Sequence, residues 1–166
     1  METIAVYWEN KIKTYGFQIE RGLSLFQIST TPRELTDLGL ALFDDDNAIR
    51  FTWVLAQSSS HQQLKIYFLL NKEWTSSMQS IIESSRANGM DLKPRITSPV
   101  ELVFFHGPHF GDRYGIADTA LGTLRKKELP ILASGCTGSS VYIVVPDQQS
   151  TEVKRILSQV FETPNE

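Results

Sequence analysis

The sequence predicts an α+β protein made of two copies of one unit, each a strand, helix, strand, strand, helix and strand, with antiparallel sheets and helices on one face. Three pairs of segments predict it. "LSLFQIS" (23–29) and "VELVFFH" (100–106) are both strand-like runs of aliphatic and aromatic residues. "LTDLGLALF" (35–43) and "IADTALGTL" (116–124) share helical spacing, with Leu35 aligning on Ile116, Asp37 on Asp118 and Leu40 on Leu121. "IYFLLNKEWTSSMQSII" (66–82) and "VYIVVPDQQSTEVKRIL" (141–157) repeat a strand followed by a helix, with Tyr67 on Tyr142 and Ile81 on Ile156. Three matching blocks in one order make a tandem repeat.

In the first copy the opening strand covers 23–29, and Thr31-Pro32 starts a helix that runs to about Phe43. Thr31 is a suitable N-cap, and a proline just inside a helix costs no hydrogen bond. The "DDDN" run closes that helix, although acidic residues there oppose the helix dipole. Residues 49–57 and 64–70 form an antiparallel pair around a polar "SSSHQQ" turn. A second helix, about 74–88, stops at Gly89, and 92–96 supplies the fourth strand.

The second copy follows the same path, with strands near 100–106, 130–136 and 140–145 and helices near 116–127 and 150–161. Ala117, Ala120, Leu121 and Leu124 give its first helix an apolar face. No fourth strand is predicted after Phe161. The N-terminus has a spare, "TIAVYW" (3–8), followed by a second strand at 11–17. An unpaired sheet edge invites a partner, so residues 3–8 are expected to complete the second unit's sheet. The predicted organisation is an N-terminal hairpin (1–22), a first unit (23–98) and a second unit (99–166).

The 166 residues are 41% hydrophobic and 21% charged, with a net charge of −3. That is ordinary globular composition. The one dense basic cluster is Arg125-Lys126-Lys127. Nucleic acid is therefore not an expected partner, because affinity for it rests on a broad cationic surface. The apolar runs are strand-sized, so no membrane partner is expected. A single cysteine, Cys136, fits a reducing compartment, and the first twenty residues lack a signal-peptide core. The expected location is the cytoplasm.

The second copy is longer than the first between its opening strand and first helix, where "HGPHFGDRYG" (106–115) lies. A loop extended in one copy only is a place for function. Unpaired N–H groups at a helix N-terminus stabilise a carboxylate, and glycines at 107, 111 and 115 allow close backbone approach. Asp112 or Asp118 could take an amino group, and Arg113 could fork onto a carboxylate. Phe110 and Tyr114 could cover an apolar side chain. The same residues also suit a plain tight turn, with Asp118 complementing the helix dipole and the two aromatics filling space.

Other chemistries fit less well. A phosphate loop needs Gly-Lys-Ser/Thr, whereas Gly111 precedes Asp112-Arg113. His106, His109, Asp112 and Cys136 could converge on a metal, but His-x-x-His spacing alone is weak evidence. Cys136 in "SGCTGSS" could be a nucleophile if histidines lowered its pKa, yet it also suits a small strand residue beside a turn. Neither a cofactor nor a resident metal is expected, and an enzyme is the minority reading.

The segments "YGIADTALGTL", "PILASGCTGSSVYIVV" and "STEVKRILSQVF" resemble tandem ACT domains, above all the regulatory region of aspartate kinases. The resemblance covers nearly the whole chain and implies two ferredoxin-like ACT-type units that pair side by side into wider sheets; exposed sheet edges point to a homodimer. It implies a regulatory role, with an amino acid bound near the first loop and helix start. Carried onto this sequence, that places a ligand against His106, Gly107, His109, Gly111, Asp112, Arg113, Tyr114, Gly115, Ile116, Ala117 and Asp118. Ser134 and Cys136 would support it from the facing strand. No kinase domain accompanies the units in this sequence, and "GPHFGDRYG" is richer in histidine and aromatics than the loops of that family. The implied function is a stand-alone sensor of an amino acid or similar metabolite. The alternative is a dimerisation or protein-interaction module without a small ligand.

Overall fold

The computed structural model describes residues 11–43, 49–59, 63–108, 110–111 and 113–163. Eight strands and four helices follow one another in these stretches: β1 (Ile12–Lys13), β2 (Phe17–Thr30), α1 (Pro32–Leu42), β3 (Phe51–Ser58), β4 (Leu64–Asn71), α2 (Thr75–Ala87), β5 (Lys93–His106), α3 (Ile116–Lys126), β6 (Ala133–Cys136), β7 (Ser140–Pro146), α4 (Ser150–Leu157) and β8 (Phe161–Glu162). The chain divides into a central unit, Glu20–Leu102, and a flanking unit that joins Met1–Ile19 to Val103–Glu166. Each is an α+β unit, as the repeat predicts.

In the central unit the strand order is β3-β4-β2-β5. β2 and β4 run antiparallel with Leu25 opposite Leu69, and β3 and β4 run antiparallel with Val54 opposite Phe68. α1 begins where Thr31 and Pro32 put it, and α2 follows a short 3-10 turn (Lys72–Trp74) capped by the Asn71 side chain. Gly89 ends α2 at φ +96, a conformation that glycine adopts without steric cost. Phe26, Ile28, Leu38, Leu42, Ile66, Phe68, Met78 and Ile82 form the core. The buried Ser24 hydroxyl lies 2.7 Å from Thr75 Oγ1 and donates to Ser98 Oγ at 2.8 Å.

In the flanking unit β5 neighbours β7, and β7 pairs antiparallel with β6, Cys136 opposite Val141. Val103, Phe105, Ala120, Leu124, Ile143, Val145, Val153, Ile156 and Phe161 make its core. Phe105 sits at the centre of an aromatic cluster, with ring centroids 5.0 Å from Phe17, 5.0 Å from Phe161 and 5.9 Å from Phe110.

Three local expectations differ from the structure. The segments 92–96 and 100–106 are one continuous strand, β5, that passes through Pro94 and Pro99. Proline removes a donor but tolerates extended backbone, so it does not end a strand as it ends a helix. Likewise 17–30 is a single strand, with Gly22 at φ +70 taking up a local irregularity. After α4 the chain does form a short strand, β8, which pairs in parallel with β1. Thr14 N–H secures it by donating to Glu162 O at 2.8 Å. Residues 3–8 and the "DDDN" run lie outside the described residues.

Candidate functional site

The extended loop after β5 folds back against the turn between β6 and β7, and between them lies a cleft of about 280 Å³ in the flanking unit. Phe110, Gly111, Arg113, Tyr114, Gly115, Ile116 and Ala117 line it from the loop and the start of α3. Cys136, Thr137, Gly138, Ser140 and Val141 line it from the facing turn. The turn is closed by Thr137 N–H donating to Ser140 O at 2.9 Å. The loop comes within ordinary contact of it: a Cβ placed on Gly111 would stand 3.4 Å from the carbonyl oxygen of Gly138.

α3 opens onto this cleft with an unusual start. Its N-cap is Gly115, left-handed at φ +83, which has no side chain to cap the first turn. The first intrahelical bond is Thr119 N–H to Gly115 O at 2.8 Å. The N–H groups of the first turn therefore carry the partial positive charge of a helix N-terminus without a capping side chain. Arg113, half-buried, is the charged member of the described lining. Groups of this kind suit an anion.

α1, the first helix of the central unit, starts differently. Thr31 and Glu34 form a complete capping box, in which the Thr31 hydroxyl accepts from Glu34 N–H and the Glu34 carboxylate accepts from Thr31 N–H at 2.9 Å. These bonds, from the Thr31 backbone foremost, hold the Glu34 carboxyl below its ordinary pKa.

Seven of the thirteen residues that the sequence nominates line the cleft: Gly111, Arg113, Tyr114, Gly115, Ile116, Ala117 and Cys136. Tyr114 is 99% exposed and stands at its rim, while Phe110 is buried against Phe105. Phe110 thus fills space, the plainer of the two roles foreseen for an aromatic here. Cys136 is exposed and free.

Four nominated residues sit elsewhere. His106 ends β5 and packs at a tilt against Tyr15, with centroids 5.3 Å apart, while its carbonyl accepts from Tyr15 N–H at 2.9 Å. Gly107 packs against the Lys13 carbonyl, so it is a close-approach glycine rather than part of the described lining. Ser134 lies within β6 opposite Ile143, and Asp118 is exposed in the first turn of α3. His109 and Asp112 lie outside the described residues. Among the described residues no cluster of three or more His, Cys, Asp or Glu side chains could hold a metal ion.

Sequence reasoning missed Val141, the apolar wall of the cleft, and Tyr15, the partner of His106. Val141 reads only as a strand residue, and Tyr15 meets His106 across a separation in sequence that no local pattern reveals.

No protein-family model and no curated protein matches this sequence. Solved structures do match its fold. The ligand-free regulatory subunit of aspartate kinase from Thermus thermophilus superposes with a TM-score of 0.76 at 11% identity, covering 90% of this chain and 99% of that one. The corresponding subunit from Thermus flavus gives 0.77 at 10% identity, covering 89% and 97%. E. coli aspartokinase III in complex with lysine and aspartate gives 0.64 at 17% identity over 94% of this chain, which spans 35% of that enzyme. At these identities the likeness is one of fold: two ferredoxin-like units of ACT type, as in the regulatory subunits of aspartate kinases.

Proposed function

We propose that this protein is a regulatory module that binds an amino acid or similar small carboxylate metabolite in the cleft of the flanking unit, with no catalytic role of its own. The observation that carries the reading is the start of α3, where a left-handed glycine leaves the helix N-terminus without a side-chain cap beside Arg113. The ligand carboxylate meets those N–H groups, and the Thr137–Ser140 turn encloses the rest of the molecule. The similar E. coli enzyme was solved with lysine and aspartate, which makes amino acids the first probes. Ligand that favours one arrangement of the loop shifts the population toward it, and regulation follows if a partner reads the difference.

A homodimer is part of this proposal. β3 is an edge strand with Val54 48% exposed, and such an edge accepts a second copy. Sedimentation velocity reads the mass directly.

The test is a thermal-shift screen against the twenty amino acids, common nucleotides and divalent metals. A ligand at 100 times its Kd adds about 2.7 kcal/mol, or roughly 5–10 °C in a chain of this size. A shift from one amino acid, lost in Gly111→Val, where the new side chain grows toward Gly138, supports the reading. A shift that survives that substitution removes the cleft from it.

A second reading, a protein-interaction module without a ligand, draws on α1, whose Leu40 is 72% exposed and whose C-cap Phe43 is 75% exposed. Silence across the screen together with a stable dimer would favour it.

A further inference from the structure

In the central unit a groove of about 560 Å³ runs between α1 and α2. Ala41, Ile81 and Met90 form its apolar floor, and all three belong to or pack against the central core. Its polar lining is Asp37 from α1, with Ser77, Ser80, Ser84, Ser85 and the C-cap Asn88 from α2.

Ser85 is only 3% exposed, yet its hydroxyl makes no hydrogen bond among the described residues. Other helical hydroxyls turn back onto their own backbone. Ser80 donates to Ser76 O at 3.1 Å, Thr123 to Thr119 O at 2.7 Å and Ser158 to Lys154 O at 2.8 Å. Among the described residues no polar side-chain atom sealed from solvent lacks a partner, so the Ser85 hydroxyl opens onto the groove it lines. A hydroxyl held so far from bulk water without a partner costs stability, and alanine at that position would suit the helix better.

We propose that this groove is a second binding site, for a small polyhydroxylated ligand that carries an amine, such as an amino sugar. Asp37 is the only charged residue in the described lining, and it pairs with no cation among the described residues. A carboxylate standing alone there attracts an ammonium and repels an anion. The serine hydroxyls and the Asn88 amide both donate and accept, which matches an array of ligand hydroxyls. The volume lies in the range of small-molecule sites. Nothing in the groove involves the start of α3, so it binds whether or not the flanking cleft takes a carboxylate.

Titrations of the ¹⁵N-labelled chain with glucosamine, glucose and glucuronate test this, at equal ionic strength and a pH that keeps the amine protonated. Glucosamine is expected to move the amides of Ser77, Ser84, Ser85 and Asn88 saturably, with those of Ile116 and Ala117 still. Glucose lacks the ammonium and should bind roughly two- to fivefold more weakly, the worth of an exposed ion pair. Glucuronate should leave these amides unmoved, and Asp37→Asn should bring glucosamine down to the affinity of glucose. Silence of the groove amides toward glucosamine, or an equal response to glucuronate, overturns the proposal.

Ser85→Ala separates binding from folding. The variant should be at least as stable to urea as the wild type. Its affinity for glucosamine should fall by about two- to tenfold, the worth of one neutral hydrogen bond. Lower stability in Ser85→Ala would give the hydroxyl a structural role, and unchanged affinity would remove it from the site. Either result overturns the proposal.

Discussion

Gly107 lies so close to the carbonyl oxygen of Lys13 that a Cβ has no room there, and Phe110 Cε1 closes the same space from the other side. This contact seats the start of the extended loop on the β1 segment, whose end is also held by Tyr15 N–H on His106 O. Gly107→Ala must push one of these groups away. Overpacking of this kind costs about 1–3 kcal/mol. Urea denaturation should show a lower midpoint with an unchanged slope, and wild-type stability would contradict the contact.

Phe161 is 1% exposed and packs on both Phe105 and Phe17, although it follows the last helix near the end of the sequence. A terminal residue with no tertiary role tolerates truncation to alanine. Here Phe161→Ala is expected to cost about 3–5 kcal/mol, the range for a buried phenylalanine. Chemical denaturation measures it, and a loss below about 1 kcal/mol would contradict the aromatic cluster as the centre of the flanking core.

Ser24 is fully buried between Thr75 and Ser98. Ser24→Ala removes both hydrogen bonds and should destabilise by about 1 kcal/mol or more. Ser24→Ala combined with Ser98→Ala should cost less than the sum of the single changes, because both remove the same Ser24–Ser98 hydrogen bond. Strict additivity would mean the hydroxyls do not act together.

Glu34 gives the pH dependence its sign. Its folded-state pKa is lowered, chiefly by the hydrogen bond from the Thr31 backbone. The stabilisation is therefore present above the ordinary carboxylate pKa and is lost as pH falls through the lowered value. An exposed carboxylate at a helix N-terminus is worth about 0.3–1 kcal/mol at neutral pH. The stability difference between wild type and Glu34→Ala should shrink on acidification. A difference that stays constant to low pH would contradict the capping role of the charge.

Much of this was legible in the sequence because the signals were local. Thr31-Pro32, Gly89 and the 3.6-residue spacing of Ala120 and Leu124 mark helix ends and faces, and the structure has those helices. The glycine loop at 106–115 was legible as a loop, and its approach to the strand and turn around Cys136 followed from the resemblance to ACT domains. What escaped was long-range. Nothing near Pro94 or Pro99 reveals that β5 continues through both, since the neighbours that sustain a strand lie on other segments. The roles of His106 and Gly107 were equally hidden, because Tyr15 and Lys13 lie far away in sequence. Phe161 looked like the fraying end of a helix for the same reason.

The central claim is that the cleft at the start of α3 takes the carboxylate of an amino acid. Backbone-amide mapping by NMR, with the twenty amino acids added to the labelled protein in small pools, tests it most directly. The account predicts that one pool moves the resonances of Gly115, Ile116 and Ala117 together with those of Thr137, Gly138 and Ser140, saturably and not in Gly111→Val. Saturable shifts confined to other residues, such as Ser80 and Ser84 in the groove between α1 and α2, or no shifts from any pool, would contradict it.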